Sequence, residues 1–115
     1  MDKPCVLVVD DDEAFREALF DALTDQGYPT ECVGNGAEAL TWLHGHSLPC
    51  VILLDLMMPV MNGWDFLAAQ RKDAAIAEVP VVVLSASHVN NDAVAKRLAK
   101  PVDLKELIST ISQYC

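Results

Sequence analysis

Val51-Ile-Leu-Leu-Asp55 is apolar at four successive positions and then ends on an acid. A strand with one wet face alternates apolar and polar residues, so a run that is apolar throughout predicts a strand buried on both faces of a parallel sheet. Val6-Leu-Val-Val9 and Val81-Val-Val-Leu84 have the same character. Thr30 to Val33 and Arg97 to Ala99 are more polar and suit edge strands.

Parallel strands need crossovers, and helical periodicity fills the gaps between these runs. Phe15, Ala18, Leu19, Ala22 and Leu23 recur at i, i+3, i+4, i+7 and i+8, with Gly27 as a C-terminal stop. A second helix is expected from Asn35-Gly36 through Ala39, Leu40 and Leu43 to Gly45. A third follows Asn62-Gly63 and is expected to carry Trp64, Leu67 and Ala68 inward. The last places Leu104, Leu107, Ile108 and Ile111 in one stripe, with Asp103 as N-cap, Glu106 completing a capping box and Val102 stapled onto Leu107. Strands and helices alternate from end to end, which predicts a doubly wound α/β sheet in one domain spanning residues 1–115.

In such a sheet, ligands bind beyond the carboxyl ends of the strands, at the point where strand order reverses. Those ends carry the chemistry of this chain. Asp10, Asp11 and Asp12 follow the first strand, Asp55 closes the third, Ser85 ends the fourth and Lys100-Pro101 follows the fifth. Carboxylates brought together repel, so a proton or a cation must join them. Mg²⁺ suits the set, because it takes oxygen ligands and commonly combines one or two carboxylates with waters and a phosphate oxygen. Asp12 is better placed to cap the first helix, with Glu13 in its first turn, which leaves Asp10 and Asp11 for the ion.

A net charge of -9 repels nucleic-acid phosphates and anionic lipids, so neither nucleic acid nor a membrane is an expected partner. No apolar run approaches the length of a bilayer span, and no signal-peptide apolar region follows Met1-Asp2-Lys3; a cytoplasmic protein is expected. Cys5, Cys32, Cys50 and Cys115 are widely spaced, without the paired spacing of a zinc knuckle. They read as three small residues buried on strands and one at the C-terminus, neither a disulfide frame nor a metal site. His44 and His46, two apart, do not share a helical face and read as surface residues, as does His88. Trp42 and Trp64 read as partly buried members of amphipathic helices.

Taken together, Val8-Val-Asp-Asp-Asp12, Leu54-Asp-Leu-Met-Met-Pro-Val-Met-Asn-Gly63, Leu84-Ser-Ala86 and Lys100-Pro101 resemble the motif set of the response regulator receiver domains of two-component signalling. The order of the motifs is right and the resemblance covers nearly the whole chain. It implies a five-stranded parallel sheet of flavodoxin-like order 2-1-3-4-5 with helices on both faces. It also implies roles residue by residue. Asp55 is the phosphoacceptor, Asp11 a direct Mg²⁺ ligand, Asp10 a ligand acting largely through water, and Met57 the donor of a backbone carbonyl. Ser85 is the switch hydroxyl, Ala86 its small neighbour, and Lys100 the cation that pairs with a phosphoryl oxygen, in a cis bond to Pro101. The implied partners are a sensor histidine kinase or phosphotransfer protein, which supplies the phosphoryl group from a phosphohistidine, and a downstream protein. The implied domain is a signalling phosphoacceptor, not an enzyme with a separate substrate.

Departures from the family pattern fall between Ser85 and Lys100. The separation of 15 residues is short by roughly two helical turns. Asn90-Asn91-Asp92 also favours a turn, so the fourth helix of the family is expected to be short or missing. Arg97 stands where the family usually has an aromatic that moves with the switch hydroxyl. Output is therefore expected through a remodelled loop near His88 to Lys96, or through another face such as the first helix. Met57 cannot orient water, which predicts a long-lived phosphoryl state.

Two other classes fit less well. A Mg²⁺-dependent aspartyl-phosphate phosphohydrolase would need a second acid two positions after Asp55, where Met57 stands. A degenerate receiver serving only as an interaction module would not need its acids, Ser85 and Lys100 all in place. The short leader after Met1 fits a stand-alone, chemotaxis-regulator-like protein.

Overall fold

The computed structural model describes residues 5–85, 95–100 and 102–115. In chain order the elements are β1 (Val6–Val9), α1 (Glu13–Asp25), β2 (Thr30–Val33), α2 (Gly36–Gly45), β3 (Val51–Asp55), α3 (Gly63–Lys72), β4 (Val81–Ser85), β5 (Lys96–Ala99) and α4 (Leu104–Ser112). The strands form one parallel sheet in the order β2-β1-β3-β4-β5. The stretch expected to hold a shortened helix between β4 and β5, residues 86–94, lies outside the described residues, as does Pro101. The described residues carry four helices.

Side-chain alternation along the strands divides the core in two. Leu7, Val9, Ile52, Leu54, Val81 and Val83 face α2 and α3, meeting Ala39, Leu43, Phe66 and Leu67. Val6, Val8, Val51, Leu53, Val82 and Leu84 face α1 and α4, meeting Leu19, Leu23, Leu107 and Ile111. Both faces of β1, β3 and β4 are thus covered, which is why these strands lack polar positions before their ends. Each fully buried Leu or Val stabilises the fold by about 1.5–3 kcal/mol relative to exposure.

Caps set the helix starts. Asp12, Asn35, Asn62 and Asp103 each accept a backbone N–H of the following turn through the side chain. Gly27, just past α1, has φ +88, the left-handed conformation that a helix terminator often needs. His44 and His46 are exposed, as expected. His44 pairs with Asp73 at 2.6 Å, tying the end of α2 to the end of α3, and His46 stacks on the half-buried Trp42.

Three expectations need correcting. α3 does not turn Trp64 and Ala68 inward: Trp64 is 43% exposed and Ala68 is also exposed, while Gly63, Phe66, Leu67 and Gln70 are buried. The face is set by Gly63, where a Cβ would lie 2.6 Å from the Asp55 carbonyl oxygen and 2.7 Å from Leu56 Cα. Only a glycine lets the helix approach β3 that closely, and the inward stripe then repeats from that position. Gln70 joins it because its amide donates to the carbonyls of Ile76 and Val79, at 3.0 Å each. On α4, Leu104 is 48% exposed, and the stripe is Leu107, Thr110 and Ile111 with Ile108 half-buried.

The cysteines are the third correction. Cys50 and Cys115 form a disulfide, with Cα atoms 5.4 Å apart. Separation along the chain hides this pair, but α4 runs back along the sheet and ends beside the start of β3, within disulfide reach. Cys5 and Cys32 are free and half-buried, and Cys32 alone of the four lies on a strand.

Candidate functional site

β1 and β3 are neighbours in register, Val9 opposite Leu54, so their carboxyl ends deliver Asp10 and Asp55 side by side. Asp10 is 2% exposed and Asp55 8%, whereas Asp11 faces solvent. One carboxylate oxygen from each of Asp10, Asp11 and Asp55 falls within 4.8 Å of the others. Lys100, the residue after β5, reaches across β4 to this group. Its Nζ donates to Asp10 Oδ2 at 3.1 Å and lies 3.5 Å from Asp55 Oδ1. The Lys100 backbone N–H is anchored on the Ser85 carbonyl at 3.1 Å.

The charge balance of this site is incomplete. Burial pushes the Asp55 carboxyl up from its ordinary value, and the neighbouring Asp10 and, less strongly, Asp11 push it the same way. Lys100 and the Met57 N–H, 3.4 Å from Asp55 Oδ1, pull it back only in part. Among the described residues, three carboxylates against one ammonium form an oxygen-rich, cation-deficient cluster, the donor chemistry that a hard divalent ion fits.

The loop after Asp55 is held under the acids by two glycines. The Gly63 N–H donates to the Leu56 carbonyl at 3.0 Å, and the Gly36 N–H to the Met61 carbonyl at 2.9 Å. At Gly36 a Cβ would sit 2.8 Å from Met61 Cγ. Between them Val60 is 86% exposed and has φ +66, a conformation that a β-branched residue adopts only under strain.

Sequence-predicted residues fall as follows. Asp10, Asp11, Asp55 and Lys100 converge. Ser85 is buried at the end of β4, one residue beyond the partner of Asp55 in the strand register. Met57 is largely exposed, two residues after Asp55. Asp12 caps α1, as expected, through the Phe15 N–H at 3.1 Å. Ala86, Ser87, His88 and the Lys100-Pro101 bond fall on or include residues outside the described set. Arg16 and Phe15 were not anticipated at the site. The Arg16 guanidinium donates to the Asp10 backbone carbonyl at 2.8 Å, and the Phe15 ring lies 4.6 Å from Lys100 Nζ. Periodicity marks Phe15 as core and Arg16 as solvent face, and no local pattern pairs a residue on the first helix with one after the last strand.

Comparison with known proteins matches residues 6–112 to the response regulator receiver domain. This chain belongs to that family. Receiver domains are the phosphoacceptor signalling domains of two-component systems, and this one has their sheet order. Among curated relatives it is 36% identical over 113 residues to the DNA-binding response regulator MtrA of Mycobacterium tuberculosis, covering 92% of this chain and 48% of MtrA. It is 32% identical over 114 residues to the probable transcriptional regulator ycf29 of Pyropia yezoensis, covering 93% and 51%. This receiver domain therefore spans about half the length of the curated relatives it matches. Among solved structures, the chemotaxis response regulator CheY4 of Vibrio cholerae superposes with TM-score 0.87 at 27% identity, covering 99% of this chain and 100% of that one. The receiver domain of Francisella response regulator 1452 superposes with TM-score 0.84 at 30% identity, covering 97% and 96%.

Proposed function

We propose that Asp55 accepts a phosphoryl group from a phosphohistidine on a histidine kinase or phosphotransfer protein, and that phosphorylation changes which protein this receiver domain binds. The observation that carries the reading is the convergence at Asp55: Lys100 Nζ at 3.5 Å and the Asp10 and Asp11 carboxylates gathered with it. An Asp55 carboxylate oxygen attacks phosphorus in line with the departing imidazole nitrogen. The P–N bond breaks, a P–O bond forms, and the imidazole leaves with a proton. Lys100 donates to a phosphoryl oxygen and balances charge as it transfers.

Mg²⁺ is the ion that fits this donor set; Asp10, Asp11, Asp55 and the Met57 backbone carbonyl would hold it. When bound, it offsets repulsion between these carboxylates and the phosphoryl oxygens. Ser85 follows the phosphoryl group as the switch hydroxyl. Residues 1–115 act as one domain, in the cytoplasm, with a downstream protein as the reader. Catalysis is confined to the domain's own phosphorylation and dephosphorylation, and Met57, unable to orient water, favours a long-lived phosphoryl state.

The test is intact mass after incubation with acetyl phosphate and Mg²⁺, for wild type and Asp55→Asn. A Mg²⁺-dependent adduct lost in the variant supports the reading. No adduct in either protein overturns it and favours a receiver kept as an interaction module.

A further inference from the structure

Four interactions close into a ring at Asp10. The Asp12 N–H donates to Asp10 Oδ1 at 2.9 Å, the Phe15 N–H donates to Asp12 Oδ1 at 3.1 Å, the Phe15 ring lies 4.6 Å from the Lys100 ammonium, and Lys100 Nζ donates to Asp10 Oδ2 at 3.1 Å. The residue that presents the aromatic face is therefore set in place by the same acidic run that gathers at the site. We propose that Phe15 is a positioning residue for phosphoryl transfer, its ring face holding the Lys100 ammonium at the site while the carboxylates take up other partners. The inference rests on the reading of Asp55 as acceptor.

Lys100 has two carboxylate neighbours, Asp10 and Asp55, and both are drawn on during transfer. Asp55 gives an oxygen to the new P–O bond, and Asp10 would share in holding Mg²⁺ when the ion is bound. A lysine is a point charge on a flexible four-carbon stem, so losing both carboxylates would leave its head free to swing into solvent. The ring face is unaltered by either event. Its negative quadrupole keeps attracting the ammonium and limits the volume that Nζ explores to the rim where a phosphoryl oxygen arrives. Phe15 also packs against the core of Leu19, Leu23 and Leu107, so the ring has little freedom of its own.

Packing and ring electrostatics can be separated. Mono-, di- and trifluorophenylalanine introduced at position 15 nearly preserve shape while progressively weakening the ring face. The rate of adduct formation with acetyl phosphate and Mg²⁺ is expected to fall stepwise with fluorine count, reaching about fivefold in the trifluoro form. Phe15→Leu should lose a similar amount, and Phe15→Tyr should restore the rate. A second readout needs no turnover: the Lys100 side-chain methylene protons should resonate upfield from the ring current, keep that shift when Mg²⁺ is added, and lose it in Phe15→Leu. A flat fluorine series, or methylene resonances that return to ordinary lysine positions on adding Mg²⁺, overturns the proposal. Absence of any adduct on wild type overturns it together with the reading of Asp55, whereas a wild-type adduct with a flat series overturns this proposal alone.

Discussion

β1 and β3, with the residues that flank them, lie side by side as two copies of one pattern: a cysteine, four apolar residues and an aspartate. Cys5 leads to Asp10 and Cys50 leads to Asp55, in register. At the carboxyl end the aspartates gather around Lys100. At the amino end Cys50 is bonded to Cys115, and its N–H donates to the Cys5 carbonyl at 2.9 Å. Five residue-to-residue steps, from cysteine to aspartate, separate the two ends by about 17 Å, roughly twice the physiological Debye length. The fully buried middle of each strand holds the fold, which lets one end specialise in charge and the other in a covalent tie. Burial also pushes the Cys5 thiol, whose backbone carbonyl contacts Cys50, up from its ordinary value, which makes it a poor nucleophile toward the neighbouring disulfide.

If the two ends act independently, the largest effects should stay at their own end. Asp55→Asn should abolish adduct formation by intact mass while leaving the disulfide in place; partial phosphorylation of the variant would mean that another acid accepts. Reduction with a dithiol, or Cys115→Ser, should cost about 2–4 kcal/mol of stability in urea unfolding, because a long loop in the unfolded chain is released. The rate of phosphorylation should not change. A rate that shifts with reduction would show that the ends communicate, and would make the cysteines a redox input. In a reducing cytoplasm the pair would stand as thiols, and Cys50 Sγ already has the Cys5 carbonyl 3.4 Å away as an acceptor for its proton.

A finer comparison uses pH. The Asp55 carboxyl is raised in the folded state, so the folded protein holds this proton to higher pH than the unfolded chain. Its contribution to stability is fully present below the ordinary carboxylate value and is lost as pH rises through the raised folded value. Thermal melts of metal-free wild type should therefore decline across that window relative to Asp55→Asn, and Mg²⁺ should close the difference. A gap independent of pH would place the effect in packing instead. Smallest is Val60→Asn, expected to stabilise by about 1 kcal/mol, since asparagine tolerates the left-handed conformation better than valine. A raised urea midpoint with an unchanged slope would bear this out.

The legible parts of this molecule are those written locally. Three wholly apolar runs announced β1, β3 and β4, and the acids at their ends announced the site. Asp12 and Asp103 declared their helices by capping chemistry. What stayed hidden depends on approach between distant segments. Trp64 looked like a core residue because it is large and apolar, but the side of α3 that faces β3 is decided by the smallest residue, Gly63. The Cys50–Cys115 bond spans 65 residues, and Phe15 meets Lys100 only after the sheet has closed. Neither leaves a periodic trace.

The bond between Cys50 and Cys115 also sets how the chain yields to tension. Pulled at residues 1 and 115, an oxidised domain transmits load along residues 1–50 and then across sulfur to residue 115, so β3, β4, β5, α3 and α4 lie within a shielded loop. Its extended contour is then about 180 Å, against about 410 Å for the reduced chain. A single covalent link thereby divides one domain into a part that can be unravelled by force and a larger part that cannot.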